Sequence, residues 1–286
     1  MAGRICIVTG ANSGIGKEVV RGLARRDAVV VLACRSIERG EAARTEIEAD
    51  TGNRKLAVME LDLASHASVR AFAAAFAARY PRLHVLVNNA GIFTSKRTLT
   101  VDGIESTFAV NQLSHFLLTN LLLPTLRMSA PARIVGVSSE ANQAGRIDLD
   151  DLNLSRWSGF RAYTQSKLAN VLFTEELARR LAGTGVTANA VHPGGVRTNW
   201  SKGSGAMRFG MLLAWPFLIP PSKGADTALY LASSPKVDGV SGKYFIKRAP
   251  AAPNARAHDA DLARRLWDVS ESLTGLRAGA PAGVPS

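Results

Sequence analysis

A tyrosine and a lysine stand four residues apart in the stretch YTQSKLAN, as Tyr163 and Lys167. If that stretch is helical, four residues make about one turn, so the two side chains lie on the same face. A solvated polar stripe has this pattern, and so has an acid/base pair. In the second case the ammonium favours the phenolate and lowers the pKa of the phenol from its ordinary value of about 10. Such a phenol gives a proton to an oxygen and takes it back.

Short apolar strands alternate with longer helical segments along the whole chain. This alternation indicates a parallel sheet covered on both faces, and right-handed crossovers make it doubly wound. We predict an α/β fold, a single-domain doubly wound (Rossmann) sandwich over residues 1–274 with a seven-stranded parallel sheet, and a flexible tail at 275–286. The predicted strands are Arg4–Val8, Ala28–Ala33, Lys55–Leu61, His84–Asn88, Arg133–Val137, Val186–Val191 and Lys243–Lys247, and the predicted helices lie near 14–26, 38–50, 65–79, 102–128, 160–183, 222–233 and 257–273.

The first strand runs directly into TGANSGIG and then into a helix. The glycines allow a tight turn, close approach of a pyrophosphate and tight packing of helix on strand. The helix N-terminus offers free N–H groups and the positive end of its dipole to phosphate. In this position the glycine triplet predicts a dinucleotide site. Its predicted contacts are Gly10, Asn12, Ser13, Gly14, Ile15 and Gly16.

The second strand ends in ACRS, where a dinucleotide site selective for NAD carries an acidic residue for the ribose 2′-hydroxyl. Arg35 stands there instead, and a guanidinium suits a 2′-phosphate through a bidentate, charge-assisted contact. An incidental surface arginine is the alternative, but the missing carboxylate independently favours NADP(H). Lys17, just after the glycines, is expected to add positive potential.

The fourth strand ends in NNAG. Ligands bind at the carboxyl ends of strands in a doubly wound sheet, near the point where strand order reverses. A turn signal explains Gly91 but not two asparagines closing a buried strand. We therefore expect Asn88 and Asn89 to fix the cofactor and the sheet edge, with cofactor contacts at Asn89, Ala90 and Gly91.

The G-x3-G-x-G spacing, together with these strand ends and the Y-x3-K pair, resembles the short-chain dehydrogenase/reductase family. The resemblance covers essentially the whole chain, and ACRS, LDLAS, VLVNNAGI, HFLLTNLLL, RIVGVSS, YTQSKLANVLFTEELARRL and GVTANAVHPGGVRT look like its retinol dehydrogenase branch. That branch, with its WW-domain-containing oxidoreductase relatives, consists of NADP-preferring enzymes acting on lipophilic aldehydes, ketones and alcohols. Many animal members carry an N-terminal membrane anchor, and none is expected here because a strand is predicted from Arg4.

The resemblance implies a catalytic tetrad, for which the matching residues are Asn111, Ser139, Tyr163 and Lys167. Tyr163 is then the acid/base of a hydride transfer between a carbonyl and an alcohol, with Lys167 as its electrostatic partner. Ser139 hydrogen-bonds the substrate oxygen, and Asn111 resembles the residue that holds a water linking the lysine to solvent. Ser138 competes with Ser139, because an insertion-like segment separates this strand end from Tyr163.

Further cofactor contacts follow from the same resemblance, which implies this role for Tyr163 and Lys167 as well. Asp62 looks like the adenine contact, compatible with an additional role as a helix cap, and Leu63 stands beside it. HPGGVRT is expected at the nicotinamide end, with contacts at Pro193, Gly194, Val196 and Thr198. A lid is expected at about 195–224, suited either to a hydrophobic substrate or to packing on the core. Its apolar residues are Met207, Phe209, Met211, Leu212, Leu213, Trp215 and Phe217.

The net charge of +12 and the 47% of hydrophobic residues limit the classes of partner that the protein can have. The basic residues are scattered without interleaved aromatics, so no nucleic-acid partner is expected. The apolar stretch 210–221 is too short to span a bilayer, although it could contact a membrane surface. Two cysteines in strand-like runs indicate buried thiols in a reducing compartment, and we expect a cytoplasmic protein without a metal site. Family resemblance suggests a homodimer or homotetramer packed through the long helices.

Two other functions stay open at this point. A relative of the light-dependent protochlorophyllide reductases shares the fold and the Tyr/Lys pair, but its cysteine-rich substrate pocket is missing here. A dinucleotide-sensing protein without catalysis could lose the tetrad without penalty, whereas all four residue types are present.

Overall fold

A central sheet organises the protein in a computed structural model, which describes residues 1–196 and 218–276. Its order is β3-β2-β1-β4-β5-β6-β7-β8, with β1 to β7 parallel and β8 antiparallel to β7. The strand order reverses between β1 and β4, which is the switch point where such sheets bind ligands. The strands are β1 Ile5–Thr9, β2 Val29–Cys34, β3 Leu56–Glu60, β4 Val85–Asn88, β5 Ala132–Val137, β6 Val186–His192, β7 Tyr244–Ile246 and β8 Ala249–Pro250.

The doubly wound parallel sandwich is confirmed, and the predicted strand count of seven needs one correction. The chain turns back after β7 through Lys247 and Arg248, which both have positive φ, of 49° and 64°. Ala249 and Pro250 then pair with Ile246 and Phe245. A strand of two residues has no apolar pattern of its own, so the sequence carries no signal for it.

Eight α-helices flank the sheet within the described residues. Ser36, Ser65, Ser158 and Asp259 cap four of them by accepting backbone N–H groups of the first turn. The helices are α1 Gly14–Ala24, α2 Ile37–Thr51, α3 His66–Arg79, α4 Ser106–Phe108, α5 Ser114–Arg127, α6 Gly159–Arg180, α7 Pro221–Ser233 and α8 Ala260–Thr274.

The single helix predicted near 102–128 is wrong. The segment begins with the short α4, continues as a π-helical turn over Ala109–Leu113 and becomes α5 only at Ser114. All five residues of the π turn are buried. A π turn inserts a residue into the helical repeat and re-aims the side chains that follow, often at functional sites. Here it carries Asn111.

Two apolar layers cover the sheet. Alternate residues of β1 enter opposite layers, Ile7 on one face and Val8 on the other. The Val8 layer packs against α1, α2 and α7, and the Ile7 layer packs against α3, α5, α6 and α8. This double coverage explains the near-continuous hydrophobic strands.

Helix α8 covers the outside of the two long helices. The Trp267 ring lies 4.9 Å from Phe116 on α5 and 5.8 Å from Phe173 on α6, measured between ring centres. The Arg180 guanidinium stacks on the same ring at 4.1 Å. Every residue of α6 from 164 to 174 is buried within one chain. A homodimer or homotetramer stays a prediction, and this stretch of α6 offers it no exposed side chain.

Replacing Trp267 by alanine is expected to lower the free energy of unfolding by about 3–5 kcal/mol, because a buried aromatic side chain leaves a cavity. Denaturant unfolding measures the loss. The control is Leu273→Ala on the same helix, where the side chain is 41% exposed, and the expected loss is within about 0.5 kcal/mol. Equal losses in the two variants would contradict the packing described here.

Within the described ranges, no helix combines the length and hydrophobicity needed to cross a membrane. In the same ranges, no group of three or more His, Cys, Asp or Glu side chains is arranged to hold a metal ion. Cys6 and Cys34 are both buried free thiols.

Candidate active site

Lys167 lies one helical turn after Tyr163 on α6, and its side chain is buried. Its ammonium is 5.6 Å from the centre of the Tyr163 ring. It donates hydrogen bonds to the carbonyl oxygen of Val137 at 2.9 Å and to Oδ1 of Asn170 at 3.4 Å. Burial lowers the pKa of Lys167 to about 8. The pair is therefore not a solvated stripe: its cation is held inside the protein, beside a phenol.

The phenol of Tyr163 has a different environment from the one that spacing alone predicts. Burial raises its pKa, and a hydrogen bond with Ser139 acts in the opposite direction. The predicted net lowering of this pKa is not found, because desolvation of the phenolate dominates and the ammonium lies near the ring. The Phe93 ring packs against the phenol at 5.8 Å between ring centres and supplies an apolar wall.

Two consecutive serines close β5, and their hydroxyls have different partners. Ser138 is buried, and its hydroxyl donates to the backbone oxygen of Lys167 at 2.7 Å. Ser139 caps the 3-10 turn Glu140–Ala144, accepting the N–H of Ala141 at 3.2 Å. Of these two serines, Ser139 is the one whose hydroxyl is hydrogen-bonded to Tyr163. The geometry therefore favours Ser139 over the competing Ser138 as the group that faces a substrate oxygen.

Asn111 is buried in the π turn and ties three segments together. Its Oδ1 accepts the N–H of Ile92 at 2.8 Å, and its Nδ2 donates to the Ile92 oxygen and to the Ser166 hydroxyl, each at 3.0 Å. The side chain thus joins the segment after β4 to α6. The structure brings Asn111, Ser139, Tyr163 and Lys167 to the same edge of the sheet.

The glycine loop lies tightly against the end of β4. Gly10 and Gly14 have left-handed backbones with φ of 64° and 55°, which favour glycine. A Cβ on Gly16 would lie 2.4 Å from the Gly10 oxygen and 2.5 Å from Nδ2 of Asn89. Ser13 is exposed at the N-cap of α1, and its side chain makes no capping bond. Asn12 and Ile15 are half-buried beside it.

Thr9, at the end of β1, organises the NNAG segment. Its hydroxyl accepts the N–H groups of Asn89 and Ala90, both at 2.9 Å, and Nδ2 of Asn89 donates to the Thr9 oxygen at 2.8 Å. Asn88 donates to the Thr119 hydroxyl at 2.8 Å, and its buried Oδ1 has no hydrogen-bond partner among residues 1–196 and 218–276. Sequence reasoning missed Thr9, since a strand-end threonine is a common residue without a distinctive signal.

The charged residues predicted at this edge have contrasting surroundings. Arg35 is exposed, and no ion pair or hydrogen bond engages its guanidinium among the described residues. Lys17 forms an ion pair with Glu46, so its expected contribution to positive potential is largely cancelled.

Asp62 and Leu63 follow β3 at the same edge. One Asp62 carboxylate oxygen accepts the N–H of Ala64 at 2.9 Å, whereas Ser65 is the residue that caps α3. The proposed cap role of Asp62 is therefore wrong, although its carboxylate stays at the edge. The backbone oxygen of Leu63 accepts the Ser114 hydroxyl at 2.6 Å, and the Leu63 side chain lies in the core.

The segment after β6 begins at the carboxyl end of that strand, at the same edge of the parallel sheet. Gly194 has φ of 90°, and a Cβ there would lie 2.9 Å from Cδ1 of Ile219. Pro193 is half-buried, and Val196 bridges to Ile219 and packs against Gly224. Thr198 and the seven apolar lid residues between 207 and 217 lie outside the described residues.

Comparison with known proteins places these features in one family. The family profile described as short chain dehydrogenase matches residues 4–208. Bovine (Bos taurus) retinol dehydrogenase 12 is 48% identical over 281 residues, which cover 96% of this chain and 87% of that protein. A crystallised protein from Mycobacterium paratuberculosis superposes with a TM-score of 0.79 at 42% identity, covering 96% of this chain and 94% of that one. A short chain dehydrogenase from Escherichia coli, solved with NADPH, has a TM-score of 0.70 at 28% identity, covering 86% and 96% of the two chains.

Proposed function

The chain belongs to the short chain dehydrogenase family, within its retinol dehydrogenase branch, and from this premise we propose that it is an NADP(H)-dependent oxidoreductase interconverting a carbonyl and an alcohol on a lipophilic small molecule. The observation that carries the proposal is the meeting of Tyr163, Ser139 and Lys167 at the carboxyl edge of the sheet, beside the glycine loop.

The residues at this edge fit a dinucleotide. The loop is so close to Asn89 that only glycine fits at position 16, and the uncapped N-terminus of α1 offers N–H groups for a pyrophosphate. We assign the exposed guanidinium of Arg35 to a 2′-phosphate and the Asp62 carboxylate, after β3, to the adenine side. When bound, the nicotinamide supplies or accepts the hydride. The remaining contacts are proposed at Asn12, Ser13, Ile15, Leu63, Ala90, Gly91, Pro193, Gly194, Val196 and Thr198.

Proton transfer is assigned to Tyr163. Burial raises its pKa, so the phenol holds its proton at neutral pH and can donate it to the oxygen of a carbonyl as the carbon is reduced. The Ser139 hydroxyl is hydrogen-bonded to Tyr163 in the protein without substrate, and its oxygen also accepts the Ala141 N–H. Its proton turns from the phenol to form a hydrogen bond with the substrate oxygen when a carbonyl binds beside the two hydroxyls. That bond stabilises negative charge where it develops. In the oxidation of an alcohol, Tyr163 takes the proton back.

Lys167 lowers the free energy of the Tyr163 phenolate. An ammonium has three donors, and two are engaged by Val137 and Asn170 among the described residues. The third is available for a ribose hydroxyl of the cofactor, which would hold the cation near the reacting oxygens. Its positive charge stabilises the phenolate formed when Tyr163 gives up its proton.

A lipophilic substrate is supported by the Phe93 wall beside Tyr163 and by relatives that are named retinol dehydrogenases. The direct test is a panel of all-trans-retinal, medium-chain aldehydes, steroids and quinones with NADPH. We expect consumption of NADPH with at least one lipophilic carbonyl. Tight NADPH binding without turnover of any of them would instead support a dinucleotide-sensing role.

Arg35→Asp is expected to reverse the cofactor preference, because a carboxylate repels a 2′-phosphate and accepts the ribose 2′-hydroxyl of NAD(H). Titration should show the Kd for NADPH rising at least about tenfold while that for NADH falls. Arg54→Asp carries the same charge change before β3, at the opposite edge of the sheet, and should leave the preference unaltered. If Arg35→Asp still strongly favoured NADPH, Arg35 would not be the selecting residue.

A cytoplasmic location and peripheral contact with a membrane surface are retained as predictions. The same holds for assembly into a homodimer or homotetramer.

A further inference from the structure

Asn170 lies three residues after Lys167 and is buried between the lysine and the π turn. Its Oδ1 is 3.4 Å from the ammonium. Its Nδ2 donates to the backbone oxygen of Asn111 and to Oε1 of Gln112, both at 2.8 Å. One neutral amide thus bridges the ammonium and the Asn111 backbone directly.

The oxygen of Asn111 has a second side-chain partner, Nδ1 of His115, at 3.2 Å. On the far side of the ring, Nε2 lies 2.9 Å from the Thr9 hydroxyl. Because the Asn111 backbone oxygen can only accept, Nδ1 is the donor in this contact, and Nε2 of the neutral ring is the acceptor. The Thr9 hydroxyl accepts the N–H groups of Asn89 and Ala90 and donates to Nε2, with the Val87 oxygen as a more distant acceptor at 3.4 Å. Burial lowers the pKa of His115 to about 4, so the ring is neutral and this assignment holds at working pH.

Family resemblance assigned Asn111 a water between Lys167 and solvent. In this chain the amide of Asn111 is engaged by Ile92 and Ser166, and its carbonyl by Asn170 and His115. We propose that Asn170 is a positioning residue that takes the place of that water, fixing the Lys167 ammonium beside Tyr163 and setting its proton affinity. This rests on the proposed function in so far as Tyr163 and Lys167 act in catalysis.

An amide suits this position for an electrostatic reason. Its oxygen accepts from the ammonium and stabilises the charged form, yet it adds no net charge that would cancel the field at Tyr163. A carboxylate would stabilise the ammonium but neutralise that field. An aliphatic side chain would leave the buried ammonium with one partner fewer.

The charged and titratable surroundings of Lys167 are few in the described part of the chain. Tyr163 stands on the same helix, and the neutral His115 faces it from α5, where the Lys167 charge contributes to the lowered pKa after burial. The end of β5 and the segment after β4 face it with the Val137 carbonyl and Gly91, which carry no charge. Beyond Tyr163 lie Tyr244 on β7 and Glu140. A substitution at Asn170 therefore changes the electrostatic surroundings of Lys167 where few other titratable groups lie nearby.

The test compares Asn170→Asp and Asn170→Leu with the wild type by two readouts. The first is the pH profile of kcat for alcohol oxidation, which rises as Tyr163 loses its proton. A carboxylate at 170 cancels the ammonium field, so the midpoint should move up by at least about one pH unit. Leucine at 170 adds no charge that would cancel the field of the Lys167 ammonium, but it removes one of the hydrogen-bond acceptors of that ammonium. Lys167 should therefore lose its proton at a lower pH than in the wild type, and kcat should decline at that lower pH.

The second readout needs no turnover. Wild-type Lys167 has a folded pKa near 8, below its ordinary 10.5, so between these values the unfolded chain binds more protons and stability rises with pH. Asn170→Asp raises the folded pKa and removes this rise. Its stability relative to the wild type should therefore fall steadily from pH 8 to pH 10. In Asn170→Leu the rise should begin below pH 8.

The matched control is Asn53→Asp. Asn53 is also buried, and its Nδ2 donates to two backbone oxygens, those of Ala24 and Ala28, far from Lys167. Relative to the wild type, this variant should lose the same amount of unfolding free energy at every pH from 8 to 10. Its pH profile of kcat should be that of the wild type. If Asn170→Asp behaved like Asn53→Asp in both readouts, the proposal would be overturned. A wild type without turnover would defeat the proposed function, while the stability readout would still decide the role of Asn170.

Discussion

Tyr163→Phe should reduce kcat for carbonyl reduction by about 10²–10⁴-fold, the usual contribution of a positioned general acid. The ring and its packing against Phe93 are retained, whereas the hydroxyl is removed together with its hydrogen bond with Ser139. Because the glycine loop and Arg35 are untouched, the Kd for NADPH should stay within about threefold of the wild-type value. Single-turnover kinetics and fluorescence titration measure the two quantities.

A matched aromatic control is Tyr80→Phe. Tyr80 follows α3 and stacks on Phe76, with ring centres 5.0 Å apart. Its variant should keep wild-type kcat. Near-normal turnover in Tyr163→Phe would remove this residue from the mechanism, whereas a large rise in the Kd for NADPH would mean that its hydroxyl serves the cofactor.

Lys167→Met is the second substitution for which we expect a large effect on catalysis. Methionine fills much of the same volume but carries no charge, so the phenolate of Tyr163 loses its stabilising cation. We expect kcat/KM to fall by at least about 10²-fold. The free energy of unfolding, in contrast, should rise at pH 7. A buried ammonium whose pKa falls from 10.5 to about 8 costs the folded state roughly 3 kcal/mol, and methionine removes that cost.

Steady-state kinetics and denaturant unfolding at pH 7 check the two halves of this prediction. Lys236→Met removes an exposed ammonium near α7 and should alter neither quantity. A Lys167→Met enzyme with kcat/KM within a fewfold of the wild type would contradict the electrostatic role. A less stable variant would show that the hydrogen bonds to Val137 and Asn170 outweigh the cost of burying the charge.

Local pattern was enough to predict most of the architecture. Strands β1 to β7 begin and end within one residue of the predicted strands, because parallel strands buried on both faces are apolar throughout. The four-residue spacing of Tyr163 and Lys167 places them one turn apart on a single helix, as the structure confirms. Boundaries marked by capping residues, such as Ser65 before α3, are equally local.

The features that sequence did not predict depend on contacts between distant parts of the chain. The π turn at Asn111 is stabilised by bonds to Ile92 and Ser166, which helical periodicity cannot reveal. The upward shift of the Tyr163 pKa depends on how deeply tertiary packing buries the phenol. The hydrogen bonds from Asn170 to the π turn likewise join residues 59 and 58 positions apart, for which helical periodicity gives no signal.

The central claim is that this site transfers hydride between a nicotinamide and the carbon of a carbonyl. The most direct measurement uses NADPH with deuterium at C4 of the nicotinamide, all-trans-retinal as the substrate, and mass spectrometry of the alcohol formed. The account predicts that deuterium appears on the carbinol carbon with the wild type and that this product is nearly lost with Tyr163→Phe. Bound NADPH without labelled alcohol, for retinal and for every other lipophilic carbonyl of the panel, would contradict it.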